Sequence, residues 1–218
     1  MLPEEEIVDA VFAISCRSLP VDHAYALSQA ILSALPWFAG EPGAGLHTVH
    51  GAASAGGWMR PEGADAILQL SHRARLALRL PRRRLDDAAS LAGRTLEVAG
   101  HALPVGKLAV RPLSRITTLF SRYVTMDGPG ADDEAQFLEA AAGQLGALGV
   151  RTAEMLCGRT TLIATPTRTL QTRSLMLAGL SLEHSLLLQQ RGLGAERKLG
   201  CGLFIPHKDI ADLRSNPD

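Results

Sequence analysis

The sequence predicts an α+β protein made of two tandem units with the same element order, strand–helix–strand–strand–helix–strand. Three observations lead there. In each half, short apolar runs of period two are interrupted by apolar residues at helical spacing. A helix follows the first strand of each half, near residue 24 and again over residues 132–148. Finally, 218 residues with 46% hydrophobic content suffice for two small cores, and no obvious linker separates them. The repeat is one of element order and not of residues.

The elements follow in chain order. Residues 6–16, EIVDAVFAISC, alternate Ile7, Asp9 and Val11 against Val8, Ala10 and Phe12, the pattern of a mostly buried strand. Leu19-Pro20 breaks it. Asp22 is a good N-cap, and Ala24, Leu27, Ile31 and Ala34 follow at helical spacing until Pro36 closes the helix. The loop GEPGAG leads into LHTVHGAAS, read as a strand. Gly56, Gly57, Pro61 and Gly63 mark a turn. ILQL and ARLALRLP read as extended, the second with Leu76, Leu78 and Leu80 on one face. Residues 84–92 form a short helix ended by Gly93, and TLEVAG with LPVGKLAV forms a hairpin or bent strand. This order is the ferredoxin-like arrangement.

The second half repeats it. LFSRYVTM (119–126) is a strand. The helix over 132–148 has Asp132, Asp133 and Glu134 in its first turn and Gly149 past its end. Phe137, Leu138, Ala141, Leu145 and Leu148 line its apolar face. EMLCGRTTLIA and RTLQTRSLMLAGL pair as a hairpin. Ser181 caps a last helix through Arg191, and CGLFIPH closes the unit. A boundary near residues 113–118 gives units 1–115 and 116–218.

Charge is balanced, with 22 basic and 22 acidic residues. That excludes a globally basic nucleic-acid protein and leaves room for a locally basic face. Cys16, Cys157 and Cys201 share no short spacing, so neither a disulfide framework nor a zinc site is expected. Glu4, Glu5 and Glu6 do not suit a secretory leader, and no apolar run approaches the ~20 residues of a membrane helix. The expectation is a soluble cytoplasmic protein without membrane contact. Aromatic content of 4% argues against a wide base-stacking platform.

The most informative segment is GLGAERKLGCG, residues 192–202. A dinucleotide-binding loop needs G-x-G-x-x-G after a strand and before a helix. Here the glycines follow a helix and precede a strand, and the third spacing is wrong. A helix C-cap with a β-turn accounts for Gly192 but poorly for Gly194, Gly200 and Gly202 with Arg197 and Lys198 among them. Unhindered amides beside two cations form a phosphate cradle.

This loop, between the last helix and last strand of a second ferredoxin-like domain, resembles the signature of the RAMP proteins of CRISPR systems. LPVDHAYALSQAI is similar to the first-helix segment of their repeat-processing endoribonucleases. LHTVHG is similar to the segment that carries their catalytic histidine, and LGCGLFIPHK resembles the Myxan-type branch. The resemblance implies two ferredoxin-like RAMP domains. It implies a CRISPR repeat RNA as partner and one cut that releases guide RNA units, with other CRISPR effector subunits as further partners to consider. Two supporting positions depart from the family: Leu32 stands in place of a tyrosine and Ala53 in place of a lysine. Tyr25 and Lys107 are candidates to replace them, although nothing in the sequence places either at the site.

RNA can be cut without metal when its 2′-hydroxyl attacks the adjacent phosphate. This needs a base, an acid and cations for the developing charge. Histidine suits the first two roles. The resemblance makes His47 catalytic, although an ordinary exposed loop histidine fits the residues alone. By period two, His50 faces away from His47 in a strand; in a loop both reach one phosphate. His23 lies in the first turn of a helix, whose dipole disfavours a charged ring, so it is a second candidate base; a surface residue at the cap fits as well. His72, His101, His184 and His207 are isolated and read as structural. No histidine pair has metal-ligand spacing, so no metal or cofactor is expected. Residues 73–84 carry Arg73, Arg75, Arg79, Arg82, Arg83 and Arg84 without an acid, which favours a phosphate-tracking patch over a merely solvated face. Lys107, Arg111, Arg115 and Arg122 form a looser group. The competing reading is a RAMP subunit that holds guide RNA without cutting it.

Overall fold

Asp9 stands alone among apolar neighbours in β1 (Ile7–Ile14), and that strand runs through the middle of a five-stranded antiparallel sheet. The structure, a computed structural model, describes residues 6–51, 61, 63, 66–126 and 133–207. It divides into two units. One comprises Met1–Pro112 with Lys198–Gly200, and the other Leu113–Arg197 with Cys201–Asp218.

In the first unit, β1 pairs on one side with β5 (Arg75–Pro81) and on the other with β7 (His101–Pro112). The short β3 (Gly45–His47) lies outside β5, and β6 (Thr95–Val98) pairs with β7 in a hairpin. The sheet order is β3-β5-β1-β7-β6. Val8, Ala10, Phe12, Leu76, Leu78 and Leu80 are buried with Leu27 and Ile31 of α1 (Ala24–Ala34) and Ala88 of α3 (Leu85–Ala89) in one core. Removing those side chains from water is the main stabilising term.

Several local expectations are corrected. The N-cap position of α1 falls one residue after Asp22. His23 occupies the N-cap position, without a side-chain cap bond, and its carbonyl accepts the Leu27 N–H. Leu19-Pro20 is not simply a break, because β2 (Ser18–Pro20) pairs with β4 (Ile67–Gln69). One turn of helix, α2 (Trp37–Gly40), follows Pro36. The segment LHTVHGAAS is a strand only through His47. Thr48–Gly51 leave the sheet, and Ala52–Ser54 lie outside the described residues, as do Gly56 and Gly57.

In the second unit, β8 (Leu119–Val124), β9 (Glu154–Ala164), β10 (Thr169–Ala178) and the two-residue β11 (Ile205–Pro206) form a sheet of order β11-β8-β10-β9. The closing strand is thus much shorter than CGLFIPH. Phe137, Ala141 and Leu145 of α4 (Glu134–Ala147) and Leu188 of α5 (Leu182–Arg191) pack on that sheet with Leu175 and Leu177. Asp133 caps α4 through the Gln136 N–H, and Ser181 caps α5 through the His184 N–H. Asp132 lies outside the described residues. Each unit has the ferredoxin-like order, with the first and third strands adjacent at the centre. Among the described residues, no helix is long and apolar enough to cross a membrane.

Candidate active site

Strand register places three polar side chains on one face of the first sheet. Asp9 lies opposite Arg79 across β1 and β5, while Gly45 opposes Arg79 and His47 opposes Ala77 across β3 and β5. Residues two apart share a face, so Asp9, Arg79 and His47 project together. The Arg79 side chain, 1% exposed, donates through Nε to Asp9 Oδ1 at 2.8 Å and through Nη2 to Oδ2 at 2.9 Å. Asp9 Oδ1 is 3.6 Å from His47 Nε2. Burial alone would raise the Asp9 pKa, but the Arg79 guanidinium and the His47 ring outweigh it and hold the carboxyl well below the usual carboxylate range. Period two in β5 places Arg79 with Arg75 on a phosphate-tracking face. The structure buries Arg79 in an ion pair instead.

His23 is also not the surface cap residue of one sequence reading. It is 3% exposed. Its Nε2 accepts the Val49 N–H at 3.1 Å, and Nδ1 lies 2.8 Å from the Pro20 carbonyl oxygen. Because that oxygen only accepts, Nδ1 carries the proton and the ring is assigned as neutral. Both nitrogens are then engaged, Nε2 with the backbone two residues beyond His47 and Nδ1 with Pro20. His50 Nε2 meets Thr48 Oγ1 at 3.0 Å. The chain from Thr48 to His50 is therefore held by side chains rather than by sheet pairing. Gly200 also abuts it: a Cβ there would come 2.8 Å from Thr48 Cγ2 and 3.2 Å from the Leu46 oxygen.

The glycine-rich loop follows a stricter backbone logic than a cradle of open amides. Gly192, Gly194, Gly200 and Gly202 all have positive φ. A Cβ on Gly192 or Gly202 would collide with a carbonyl of the loop itself, and one on Gly194 with that of Thr125. The amides of Gly192, Leu193, Cys201 and Gly202 donate to Leu188, Gly202, Glu196 and Tyr123 carbonyls. Those of Gly194 and Ala195 donate to Gln144 Oε1 and Thr125 Oγ1. These amides are spent inside the protein, which corrects the expectation that they face a phosphate. Arg197 Nη2 donates to the Gln190 carbonyl and Lys198 Nζ to that of Ala39. Cys201 is a packing residue, its thiol pushed up to about 12 by burial.

The arginine run breaks into individual environments. Arg75 is exposed and donates to the carbonyls of His72 and Ala74. Arg82 pairs with Glu6, both about half exposed. Arg83 and Arg84 converge on Glu41, whose side chain is 4% exposed, and Arg84 also bonds Asp87. Burial would raise the Glu41 pKa, but the hydrogen bonds from Arg83 and Arg84 lower it on balance. The sequence reading missed Glu6, Glu41 and Asp9 as partners. A lone acid inside an apolar strand, which needs a counter-charge, was the available signal for Asp9.

Of the two departures from the family pattern, Leu32 packs against the core, and Ala53 lies outside the described residues. Tyr25 is part-buried on α1 and Lys107 exposed on β7. Among the described residues, no group of three or more His, Cys, Asp and Glu side chains could hold a metal ion.

Comparison with known proteins places the whole. The family model described as Cas6 Crispr matches residues 8–209. The chain belongs to the Cas6 family. The CRISPR-associated endonuclease Cas6 of Myxococcus xanthus (strain DK1622) is 33% identical over 209 residues, covering 96% of this chain and 85% of that protein. Among solved structures, an RAMP protein binding different RNA substrates superposes with a TM-score of 0.63 at 13% identity, over 93% of this chain and 100% of that one. The CRISPR endoribonuclease Cse3 bound to 19 nt RNA superposes with a TM-score of 0.52 at 13% identity, over 91% and 97%. At such identities these two speak for the fold, which Cas6 and RAMP proteins share with this chain. Cas6 membership agrees with the resemblance read from the motifs and with an endonuclease as the enzyme class.

Proposed function

We propose that this Cas6-family enzyme binds CRISPR repeat RNA and cuts the precursor transcript into guide RNAs without a metal ion. The 2′-oxygen attacks the adjacent phosphorus while its proton passes to a base. The P–O5′ bond breaks, and an acid protonates the departing 5′-oxygen. The products are a 2′,3′-cyclic phosphate and a 5′-hydroxyl. His47 is the acid–base group. What carries this reading is its setting: His47 ends a strand in the family's catalytic segment, beside a fixed ion pair. His50 is bonded to Thr48, and His23 has both nitrogens occupied, so neither competes well for a proton of the substrate. We assign His23 to holding the segment and His50 to a secondary place. Among the described residues no three potential metal ligands converge at His47, which supports metal independence.

RNA phosphates are met by exposed cations. Arg73, Arg75, Arg82 and Arg83 are exposed, with Arg84 part-buried beside them; on the glycine-rich loop Lys198 and Arg197 are part-buried and contribute less. Exposed ion pairs contribute about 0–1 kcal/mol, so a phosphate can replace Glu6 on Arg82. The glycines shape that loop.

The test is single-turnover cleavage of a radiolabelled repeat with enzyme in excess, in EDTA. His47→Ala should slow the chemical step about 10²–10⁴-fold with RNA affinity nearly unchanged. A 5′-phosphate product, or loss of cutting in EDTA, would point to another mechanism. The loss of the family tyrosine and lysine at Leu32 and Ala53 favours a second reading, a subunit that retains guide RNA without cutting; a wild-type chain that binds repeat RNA and never cuts it would establish that one.

A further inference from the structure

We infer that Asp9 is a positioning residue for this reaction, setting the orientation of the His47 ring toward the scissile phosphate. The inference rests on the assignment of His47 above and adds a group outside the segment that carries it. His47 is the last residue of a three-residue edge strand, and the chain leaves the sheet directly after it. Backbone pairing therefore holds it on one side only. The terminal torsion of an imidazole has two broad wells, which exchange the two nitrogens. The Asp9 oxygen, 3.6 Å from Nε2 and thus in charge contact rather than hydrogen-bonded, favours the orientation that turns this nitrogen toward it.

Asp9 is fit for that task because it cannot itself turn. Its backbone lies in the central strand between β5 and β7. Both of its carboxylate oxygens take N–H groups from Arg79, which is buried. A bidentate guanidinium–carboxylate pair fixes direction as well as charge. A rigid strand thus fixes Arg79, Arg79 fixes Asp9, and Asp9 faces His47, the layered support that a reacting group needs to stay within a fraction of an ångström. Arg79 offsets the carboxylate's charge, so the influence on His47 is chiefly one of direction.

The full-length chain is tested in single-turnover cleavage of repeat RNA, alongside direct measurement of RNA affinity. Asp9→Asn should slow the chemical step about 10–100-fold, short of the loss from removing the acid–base group itself, and leave RNA affinity within about twofold. Added to His47→Ala, it should slow cutting no further, because its effect passes through that ring. Asn at position 9 leaves a buried guanidinium, so the pair Asp9→Asn/Arg79→Gln, in which two amides replace the ions, is measured as well. It should show the same slow chemistry and the same RNA affinity. Equal slowing by Asp9→Asn in wild-type and His47→Ala backgrounds would mean a structural role and overturn the proposal. So would wild-type cutting by either Asp9 variant while His47→Ala is slow. If His47→Ala cuts at the wild-type rate, the assignment of His47 is overturned, and the positioning role with it.

Discussion

At the scale of single residues, the Asp9–Arg79 pair shows how a charge enters a core. Neither group tolerates burial alone. Together they are satisfied, and removing one partner of a buried pair typically costs about 3–5 kcal/mol. Asp9→Asn should therefore lower the urea midpoint near neutral pH. The pH dependence follows from the direction of the pKa shift. Burial pushes the Asp9 carboxyl up, but Arg79 and His47 together hold it below its ordinary value of 3.8. The folded state thus binds this proton less readily than the unfolded chain, and the stabilisation is fully present above the unfolded pKa. It is lost as pH falls through the depressed folded value. The advantage of wild type over Asp9→Asn in urea midpoint should be present at pH 5 and shrink as pH falls below about 4. A gap that stays constant down to pH 3 would show that the carboxylate is not ion-paired in solution. The alternation of β1 made Asp9's face legible in the sequence. Its partner was not, because Arg79 lies 70 residues away and only strand register brings the two together. His23 misled for the opposite reason: Asp22-His23 before a helical pattern looks like a cap, and nothing local reports a bond to Val49.

At the scale of elements, the glycine-rich loop was legible as a motif but not in its cause. G-x-G, five residues, G-x-G marks positions where the backbone turns with positive φ and passes too close to other chain atoms for a Cβ. The strand lengths were less legible. β3 stops early, at His47, because the residues that follow are held by side chains, and β11 begins only at Ile205, after a segment whose Cys201 amide turns back to Glu196 of the loop; period-two reading weighs neither. The two inner glycines should fail differently. Gly194→Ala combines φ of +74° with a collision at the Thr125 carbonyl. It should lower thermal stability by about 1 kcal/mol or more while leaving the chemical step of the folded fraction near wild type. Gly200→Ala meets Thr48, the neighbour of His47, so it should slow the chemical step as well. Identical effects of the two substitutions on the single-turnover rate would remove Gly200 from the support of the catalytic segment.

At the scale of the whole molecule, binding a polyanion is a problem for a chain with no net charge. The arginine run does not solve it by simple excess, because Glu6, Glu41 and Asp87 face Arg82, Arg83 and Arg84. The acids come from other parts of the sequence, so a window over residues 73–84 reads as more basic than the folded surface is. For Arg82, Arg83 and Arg84 phosphate binding would then be an exchange, in which RNA takes an arginine from a carboxylate, whereas the exposed Arg75 is bonded only to carbonyls. Log affinity for repeat RNA should fall linearly with log salt, by about 0.7–0.9 in slope for each phosphate contact that releases a counterion. Arg82, half exposed and paired with a half-exposed Glu6, should supply such a contact, and Arg82→Ala should reduce the slope by up to one contact's worth. Arg79, whose side chain is 1% exposed and committed to Asp9, should supply none. The chain carrying Asp9→Asn and Arg79→Gln should keep the wild-type slope although it has lost an arginine from the same run. Filter binding across a salt series measures both. A slope that survives Arg82→Ala but drops in the paired variant would exchange the roles of these two arginines and place the RNA on the sheet face instead.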